Sequence, residues 1–389
     1  MARYRLVISL SCSVFLLMFG VGVTVALLPR RVITLSGSFA DVGCLASAFA
    51  LPFVLLQVPI GRLADRYGFR AFITAGYAFC CLSGLTYCFA DNPTSIFVGR
   101  ILQGIGEAPV WALAPALLSI QYSEGKGKAM GMYNASIHLG LTAGSLLGLL
   151  TSDVWKGDEA FWVLTATSMC GGLLVALFMG SPHQETSETA RRAEERNIAS
   201  LMSSRSTWAI MTGITLYGCG YGMLLTVIPM SMINSESSGG ISVGLFFVLF
   251  YVAVSISQFV GGRLSDKTGR IKTMIFGLIT AAVCIALATK LQSVWLQIFL
   301  ALASFGLGVF CVSSMVFLSE CVPISLRGTI SGAFYLSWGA GYFVGPMLLG
   351  KLTDLGGFNL GMFIFAAFSL VEAVAVAILH RKSLAPAKL

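Results

Sequence analysis

The stretch "GRLADRYGFR", residues 61–70, places four charged side chains in an otherwise apolar part of the chain. The twenty residues that end at Gly61 contain no aspartate, glutamate, lysine or arginine, and neither do the twenty that follow Arg70. A second stretch, "GRLSDKTGRIK" at residues 262–272, repeats the arrangement about 200 residues later. We interpret each stretch as a short polar loop that joins two apolar helices.

The composition indicates a membrane protein along its whole length. Of the 389 residues, 56% are hydrophobic and only 11% are charged, whereas an ordinary soluble domain has about 25% charged residues. A membrane-spanning helix needs about 20 apolar residues, while barrel strands are shorter and alternate with polar residues. The sequence therefore predicts an all-α membrane protein with twelve transmembrane helices. The predicted spans are residues 6–29, 42–60, 71–90, 94–121, 129–151, 160–180, 206–233, 240–262, 273–289, 293–319, 329–350 and 357–379.

The lysines and arginines predict how these helices cross the membrane. With the N-terminus in the cytoplasm, nineteen of them fall in cytoplasmic segments and five in outer segments. Short cytoplasmic loops of membrane proteins are enriched in positive charge, so we expect both termini to be cytoplasmic. The same asymmetry accounts for the net charge of +8, which therefore indicates no nucleic-acid partner.

A polar stretch near the middle divides the chain into two halves that match each other. Residues 181–205 are predicted to form a cytoplasmic central loop between an N-terminal six-helix bundle, residues 1–180, and a C-terminal six-helix bundle, residues 206–389. The two bundles are predicted to be repeats, which in membrane proteins usually flank a central path. Residues that match at an offset near 200 include Gln57 and Gln258, Asp65 and Asp266, Gly104 and Gly306, and Gly106 and Gly308.

The stretch quoted first resembles the signature loop that the major facilitator superfamily carries between helices 2 and 3. The second stretch resembles the weaker copy that the family has between helices 8 and 9. Twelve helices, a cytoplasmic central loop and two parallel halves extend the resemblance over the whole chain. The resemblance implies a transporter that alternates access around a site near the middle of the membrane. It also implies that the loop braces the cytoplasmic ends of the two halves.

The charged loop has the features of a conformational latch. Gly61 removes a side chain where helix 2 approaches a neighbour, and Gly68 permits a tight reversal. Asp65 is placed for an ion pair or for the positive N-terminal end of a neighbouring helix. The resemblance implies that Asp65 and Arg70 control the conformational exchange, while the alternative role of the arginines is to anchor the topology. The predicted latch residues are Gly61, Arg62, Asp65, Arg66, Gly68, Arg70, Arg263, Asp266, Gly269 and Arg270.

Charged residues inside the predicted helices indicate a functional site, because each costs about 2.5–3.5 kcal/mol on insertion. Three lie well inside: Arg100, Glu107 and Glu372. Arg100 and Glu107 share one face of helix 4, but the rise of about 10 Å between them is too long for a direct ion pair. We expect a water, a substrate anion or a residue of another helix to bridge them, unless the two are a structural pair. Glu372, on helix 12, is expected to snorkel or to pair locally.

The motifs around this pair resemble those of several branches of the superfamily. "RILQG" resembles the helix-4 signature of proton-coupled drug exporters, and "GIGEAP" resembles the spinster-like and anion:cation symporter branches. Both resemblances imply proton coupling through Glu107 and Arg100, and His138 on helix 5 is a further titratable candidate. The drug/proton antiporter group carries a Gly-Pro motif on helix 5, where this chain has Ser145 in place of the proline. This departure leaves the direction of transport open.

Polar and aromatic residues on the helices that line the central path of this fold are candidates for substrate binding. A mainly apolar pocket with few polar groups suits an amphiphilic or aromatic small molecule. Each candidate is equally open to interpretation as a packing residue. The substrate-binding candidates are Thr24, Gln57, Asn134, Tyr217, Tyr221, Gln258, Tyr335 and Trp338.

The sequence thus predicts a proton-coupled secondary active transporter that exports a small amphiphilic compound. The alternatives are proton-coupled uptake of a small organic anion, with Arg100 as its partner, and a membrane receptor that has the fold but transports nothing. A Walker loop and the motifs of common hydrolases are absent, so we expect neither ATP use nor enzymatic activity. The ten cysteines form no CxxC motif, and no metal or other cofactor is expected. We expect a monomer in a plasma membrane, of the prokaryotic inner-membrane kind, with a small-molecule substrate, protons and lipid as its partners.

Overall fold

The computed structural model describes residues 2–36, 39–151, 159–179, 205–234 and 240–384, and nearly all of these residues are helical. They form twelve long α-helices and one short 3-10 turn, so the all-α prediction is confirmed. Apart from its last residue, the predicted central loop lies outside the described residues. The helices are α1 (Ala2–Ser36), α2 (Phe39–Tyr67), α3 (Phe69–Cys88), α4 (Pro93–Gln121), α5 (Lys126–Leu150), α6 (Glu159–Phe178), α7 (Arg205–Asn234), α8 (Gly240–Thr268), α9 (Arg270–Ala288), α10 (Ser293–Cys321), α11 (Arg327–Gly356) and α12 (Phe358–Leu384).

Ten of the described helices are long and apolar enough to cross a membrane. The other two are α5 and α11, which occupy equivalent positions in the two halves of the chain. Both carry frequent glycines and polar side chains, as in "GMYNASIHLGLTAGS" of α5. This composition lowers their mean hydropathy below that of the other ten. Twelve spans and cytoplasmic termini therefore stay predictions.

Each charged stretch forms a turn of a single residue between two helices. Gly68 separates α2 from α3 with a φ of 92°, and Gly269 separates α8 from α9 with a φ of 95°. This left-handed backbone conformation is readily accessible to glycine and strained for other residues. The tight reversal expected at Gly68 is therefore present, and its repeat is present at Gly269.

The helices group into two compact units. Each unit corresponds to one half of the chain, except that each half contributes one short segment to the other unit. The first unit contains residues 1–122, 132–185 and 324–335. The second unit contains residues 123–131, 186–323 and 336–389. The start of α5 therefore belongs to the second unit and the start of α11 to the first. The domain limits expected from the sequence stay a prediction.

The two halves match in a register that differs from the expected one in α4 and α10. These helices begin and end 200 residues apart. A Cβ placed on Gly106 would overlap the carbonyl of Gly76, and a Cβ on Gly306 would overlap the carbonyl of Gly277. Gly106 therefore corresponds to Gly306, and the pairing of Gly104 with Gly306 is wrong. Both helices carry two glycines spaced two residues apart, so the sequence fitted either register equally well.

Close helix contacts at glycine also hold the first unit together. Gly144 of α5 lies so near the backbone of Phe19 in α1 that a Cβ would overlap the Phe19 carbonyl. Small residues of this kind let membrane helices approach each other and gain dispersion energy, since lipid removes most of the hydrophobic driving force between helices.

We predict that Gly144→Val destabilises the protein by about 1–3 kcal/mol, because the added side chain forces α1 and α5 apart. The measurement is the thermal unfolding midpoint of the detergent-solubilised chain. Leu146→Val is the matched control, since Leu146 lies on the same helix and is 47% exposed. Equal thermal unfolding midpoints for Gly144→Val and Leu146→Val would contradict the close contact between Gly144 and Phe19.

Candidate functional site

Asp65 binds the N-terminus of α11 within the first unit. Its Oδ1 atom accepts a hydrogen bond from the backbone N–H of Gly328 at 2.8 Å. Its Oδ2 atom accepts from both the backbone N–H and the Oγ1–H of Thr329, each at 2.7 Å. Because α11 begins at Arg327, the carboxylate lies at the positive end of the helix dipole. The structure thus places Asp65 at a helix terminus, which was one of the two arrangements expected from the sequence.

Asp266 repeats this contact in the second unit. Its Oδ1 atom accepts from the N–H of Gly127 at 3.0 Å, and its Oδ2 atom accepts from the N–H of Lys128 at 2.8 Å. These residues are at the start of α5, which begins at Lys126. Each charged stretch therefore holds the first turn of one helix through a single aspartate.

The second stretch has an additional network of charged side chains. Arg270 contacts Asp266 at 2.5 Å and forms a two-pronged pair with Glu320, with distances of 3.0 and 3.2 Å. The ammonium group of Lys126 lies 3.8 Å from the same glutamate. The second stretch, which matches the signature loop less closely than the first, therefore carries an extensive ion-pair network. Glu320 was not among the predicted residues, since its spacing from Arg270 gives no signal in the sequence.

The other predicted latch arginines make local contacts. Arg70 donates to the backbone carbonyl of Ala176. Arg66 lies over the ring of the adjacent tyrosine at 5.1 Å, and Arg263 lies over the phenylalanine four residues earlier at 3.9 Å. Arg62, like these three arginines, is exposed. Their positions fit the topology-anchor role better than direct contact with the aspartates.

A chain of hydrogen bonds runs along one face of α4 in the first unit. Arg100 donates from Nε to the carbonyl of Leu45 at 3.1 Å and from Nη1 to Oε1 of Gln103 at 3.0 Å. Gln103 donates from Nε2 to Oε1 of Glu107 at 2.8 Å. Trp111 donates from its indole Nε1 to Oε2 of Glu107 at 3.1 Å. Gln103 on the same helix therefore bridges Arg100 and Glu107, although it was not among the bridges expected from the sequence.

The residues around Gln103 determine which end of its amide faces Glu107. The Oε1 atom of Gln103 also accepts from the hydroxyl of Tyr87 on α3 at 2.9 Å. With two donors directed at the amide oxygen, the amide N–H₂ points to Glu107. The guanidinium of Arg100 lies over the ring of Phe49 at 4.8 Å and is 9% exposed. Arg100 thus acts on Glu107 through an amide and has no direct contact with it.

Trp111 connects Glu107 to α2 and to the start of α11, both in the first unit. Its ring meets Phe53 of α2 edge-on with the centroids 6.3 Å apart. On α11 it meets Tyr335 in the same manner at 5.8 Å. Trp111 was not predicted as a site residue, although it stands four residues after Glu107, where a helix brings side chains together.

Two further titratable residues lie elsewhere in the helices. His138 is buried on α5, in the same unit as Glu107, and its backbone carbonyl accepts a hydrogen bond from Thr142. Both carboxylate oxygens of Glu107 are bound by other residues, so a proton exchange with His138 stays a prediction. In the second unit, Glu372 of α12 accepts from Thr212 of α7 at 3.3 Å. Glu372 thus pairs locally, as one of its two expected roles requires.

The eight substrate-binding candidates divide equally between the two units. Thr24, Gln57, Asn134 and Tyr335 belong to the first unit, and Tyr217, Tyr221, Gln258 and Trp338 belong to the second. Seven of them are at most 7% exposed, and Trp338 is half-buried. The hydroxyl of Thr24 donates to a carbonyl of its own helix, which favours a packing role for this residue.

The aromatic candidates of the second unit form a cluster around Tyr221. Its ring lies 5.3 Å from Phe250, 5.8 Å from Trp338 and 6.0 Å from Tyr217, measured between centroids. Tyr342 stacks on Trp338 at 5.3 Å and was missed, although the two are four residues apart on α11. Trp338 and Tyr342 are both half-buried, so part of each ring is accessible.

The repeat-related glutamines differ in their surroundings. Gln258 is buried beside Gly308 of α10, and it interacts with other residues. Gln57 is completely buried, and neither polar atom of its amide has a hydrogen-bond partner among the described residues. A buried amide without a partner is costly, so Gln57 is the better candidate to bind a polar group of a ligand or a water.

Comparisons with known proteins identify relatives along the whole chain. The model of the Major Facilitator Superfamily matches residues 10–236 and 210–388. An uncharacterised transporter of this type from Methanocaldococcus jannaschii is 25% identical, over 93% of this chain and 95% of its own length. A probable 4-methylmuconolactone transporter of Cupriavidus pinatubonensis is 27% identical over 89% and 84%. The chromaffin granule amine transporter of Rattus norvegicus is 24% identical over 85% of this chain, which spans 64% of that protein.

Solved structures of similar fold include two transporters. The human organic anion transporter MFSD10 aligns with a TM-score of 0.83 at 15% identity, over 96% of this chain and 99% of its own. The E. coli fucose:proton symporter aligns with a TM-score of 0.79 at 15% identity, over 95% and 97%. At this level of identity the likeness establishes the fold.

We predict that Glu320→Gln lowers the thermal unfolding midpoint and makes it less sensitive to salt. The substitution removes the charge that Arg270 and Lys126 share, and partly exposed ion pairs contribute about 0.2–1 kcal/mol each. The exposed Glu124 provides the control, since Glu124→Gln removes the same charge from the α4–α5 loop. An unchanged salt dependence in Glu320→Gln would show that the network does not stabilise the second unit.

Proposed function

We propose that this chain, which belongs to the major facilitator superfamily, is a proton-coupled secondary active transporter that exports a small amphiphilic compound. As a member of this family of transporters it is an integral multi-pass membrane protein and not an enzyme. The observation that carries the proposal is Glu107, a buried carboxylate within a helix that accepts hydrogen bonds from the neutral side chains of Gln103 and Trp111.

Glu107 suits the role of proton carrier because, among the described residues, no cation contacts its carboxylate directly and so fixes it in the ionised form. Gln103 and Trp111 donate to it without carrying a charge, and Arg100 acts through the amide of Gln103. A direct contact with a cation would favour the ionised state strongly. The observed arrangement supports a carboxyl group that exchanges its proton when water reaches it from either side. His138 stays the next candidate for this role.

The geometry of Arg100 supports export of an amphiphile over uptake of an organic anion. Two of its donors are bound to Leu45 and Gln103, and Phe49 covers one face of the guanidinium. An anion that used Arg100 as its partner would have to reach the remaining N–H groups of a side chain that is only 9% exposed. We therefore assign Arg100 to the coupling site and keep anion uptake as the alternative function.

The substrate is proposed to bind to aromatic rings and to a small number of polar groups. Gln57 offers a buried amide in the first unit, and Tyr221, Trp338 and Tyr342 offer aromatic surface in the second. Such a composition suits a small amphiphilic molecule. Two of the relatives are named for small organic compounds, an amine and a lactone, which supports this class of substrate.

Asp65 and Asp266 are proposed to act as latches in the conformational exchange. Each binds two consecutive backbone N–H groups at the start of a helix. If α11 or α5 moves during the transport cycle, these bonds have to break and form again. We propose that the termini are cytoplasmic, as the charge asymmetry of the loops indicates. We further propose that the protein is a monomer in a prokaryotic plasma membrane.

The first test of the function is Glu107→Gln in proteoliposomes with an imposed pH gradient. Ethidium serves as the amphiphilic cation and benzoate as the organic anion. We expect the wild type to concentrate ethidium against proton flow, and Glu107→Gln to retain ethidium counterflow without gradient-driven accumulation, because glutamine cannot change its charge. Glu124→Gln is the control. Accumulation by Glu107→Gln would place the coupling site elsewhere, and benzoate accumulation with proton entry would favour the alternative.

The second test concerns the latch. Asp65→Asn is expected to leave the chain folded and to slow ethidium counterflow about tenfold, because hydrogen bonds to a charged group exceed neutral ones by about 1–2 kcal/mol. The control is Asp91→Asn, which removes an exposed carboxylate from the α3–α4 loop. Counterflow at the wild-type rate in a well-folded Asp65→Asn protein would remove the basis for the latch.

A further inference from the structure

Trp111 occupies a junction that the proposed transport cycle does not yet use. Its one polar atom, the indole Nε1, donates to Glu107, while its ring contacts Phe53 on α2 and Tyr335 on α11. A tryptophan side chain has a single donor and no acceptor. The indole is therefore held in place at its polar end by the carboxylate and at its apolar end by two other helices.

The contact on α11 lies close to the latch. Tyr335 follows Thr329 by six residues, a rise of about 9 Å along the helix. Thr329 is one of the two residues whose backbone N–H groups bind Asp65. Glu107 and Asp65 thus act on the same end of α11, Glu107 through two side chains and Asp65 directly. All of these residues belong to the first unit.

The charge of Glu107 determines how firmly the indole is held. A hydrogen bond to an ionised carboxylate is roughly twice as strong as one to a neutral acceptor. When Glu107 takes up a proton, the bond from Trp111 weakens and the indole is free to change its orientation. The edge-on contact with Tyr335 depends on that orientation, since aromatic pairs have a preferred geometry.

Several side chains face Glu107 and Trp111, and among them Glu107 is the group whose change of charge the inference uses. Arg100 on α4 acts on Glu107 through Gln103, and the hydroxyl of Tyr87 on α3 donates to the same amide. The thiol of Cys80, also on α3, lies against Gly106, the residue before Glu107. From α2 and α11, the rings of Phe53 and Tyr335 face Trp111.

The second half of the chain lacks this arrangement. In the register of α4 and α10, Glu107 corresponds to Leu307 and Trp111 corresponds to Cys311. The carboxylate–indole pair is therefore a feature of the first half, and its aromatic contact Tyr335 lies on α11.

We propose that Trp111 is the positioning residue that couples the protonation of Glu107 to α11. With Glu107 ionised, the indole is held against Tyr335 and supports the position in which Asp65 binds the first turn of α11. Protonation releases the indole and removes that support. The inference rests on the proposed role of Glu107 as the coupling carboxyl group.

The direct test is the tryptophan emission of the full-length protein in lipid nanodiscs, titrated with pH and without substrate. The chain has six tryptophans, so difference spectra isolate each one. We expect a pH-dependent component in the wild type that is lost in both Trp111→Phe and Glu107→Gln. Trp162→Phe is the control, because Trp162 is 48% exposed and meets Phe89 edge-on. A component that is absent in the wild type or persists in Trp111→Phe would overturn the proposal.

Flux through proteoliposomes provides a second readout that a merely structural role would not change. Trp111→Phe should keep ethidium counterflow and lose pH-driven accumulation to the level of Glu107→Gln, and the double variant should be no worse than Glu107→Gln alone. Tyr335→Leu should lose pH-driven accumulation, whereas Tyr335→Phe should retain it because it keeps the ring. Wild-type accumulation in Trp111→Phe would overturn the inference. Failure of the wild type to respond to the gradient would instead contradict the proposed function, and the emission test would still decide the role of Trp111.

Discussion

A carboxylate inside a membrane helix has to find its hydrogen-bond donors within the protein, and this constraint organises the first unit around Glu107. The charge costs about 2.5–3.5 kcal/mol on insertion unless it is compensated. The compensation comes from Gln103 and Trp111, one turn before and one turn after it on α4. Gln103 leads on to Arg100, and Trp111 leads on to α2 and α11. The same contacts that make the burial tolerable thus connect the charge to the helices around it.

The two halves share a scaffold but differ in the residues that carry chemistry. Both have an aspartate that holds the first turn of a helix, and both have a glycine turn with positive φ. The first half adds the buried carboxylate, its indole partner and the amide of Gln57, which has no hydrogen-bond partner among the residues that the structure describes. The second half adds the aromatic cluster around Tyr221 and the ion pairs of Glu320. A duplicated fold therefore supplies the framework, and its asymmetry supplies the proposed coupling and binding sites.

Much of the framework could be predicted from the sequence because it depends on local chemistry. Continuous apolar blocks indicated the helices, and Gly68 indicated the turn, since few other residues adopt its backbone conformation. The candidate site could be predicted only in part. Arg100 and Glu107 were expected to share a face, but the bridge by Gln103 depends on the direction of an amide that Tyr87 determines from another helix. The pair of Glu320 with Arg270 joins residues 50 positions apart, and spacing in the sequence carries no signal for such a contact.

In the proposed cycle Glu107 gains and loses a proton within the membrane. Infrared difference spectroscopy detects this change of protonation directly. The protein in lipid is cycled between acidic and alkaline buffer, and the carbonyl band of a protonated carboxyl group is followed. We expect a band that responds to pH in the wild type and in Glu372→Gln, and that is missing in Glu107→Gln. A band that persists in Glu107→Gln, or one that disappears only in Glu372→Gln, would show that the titrating group is not Glu107 and lies on another helix.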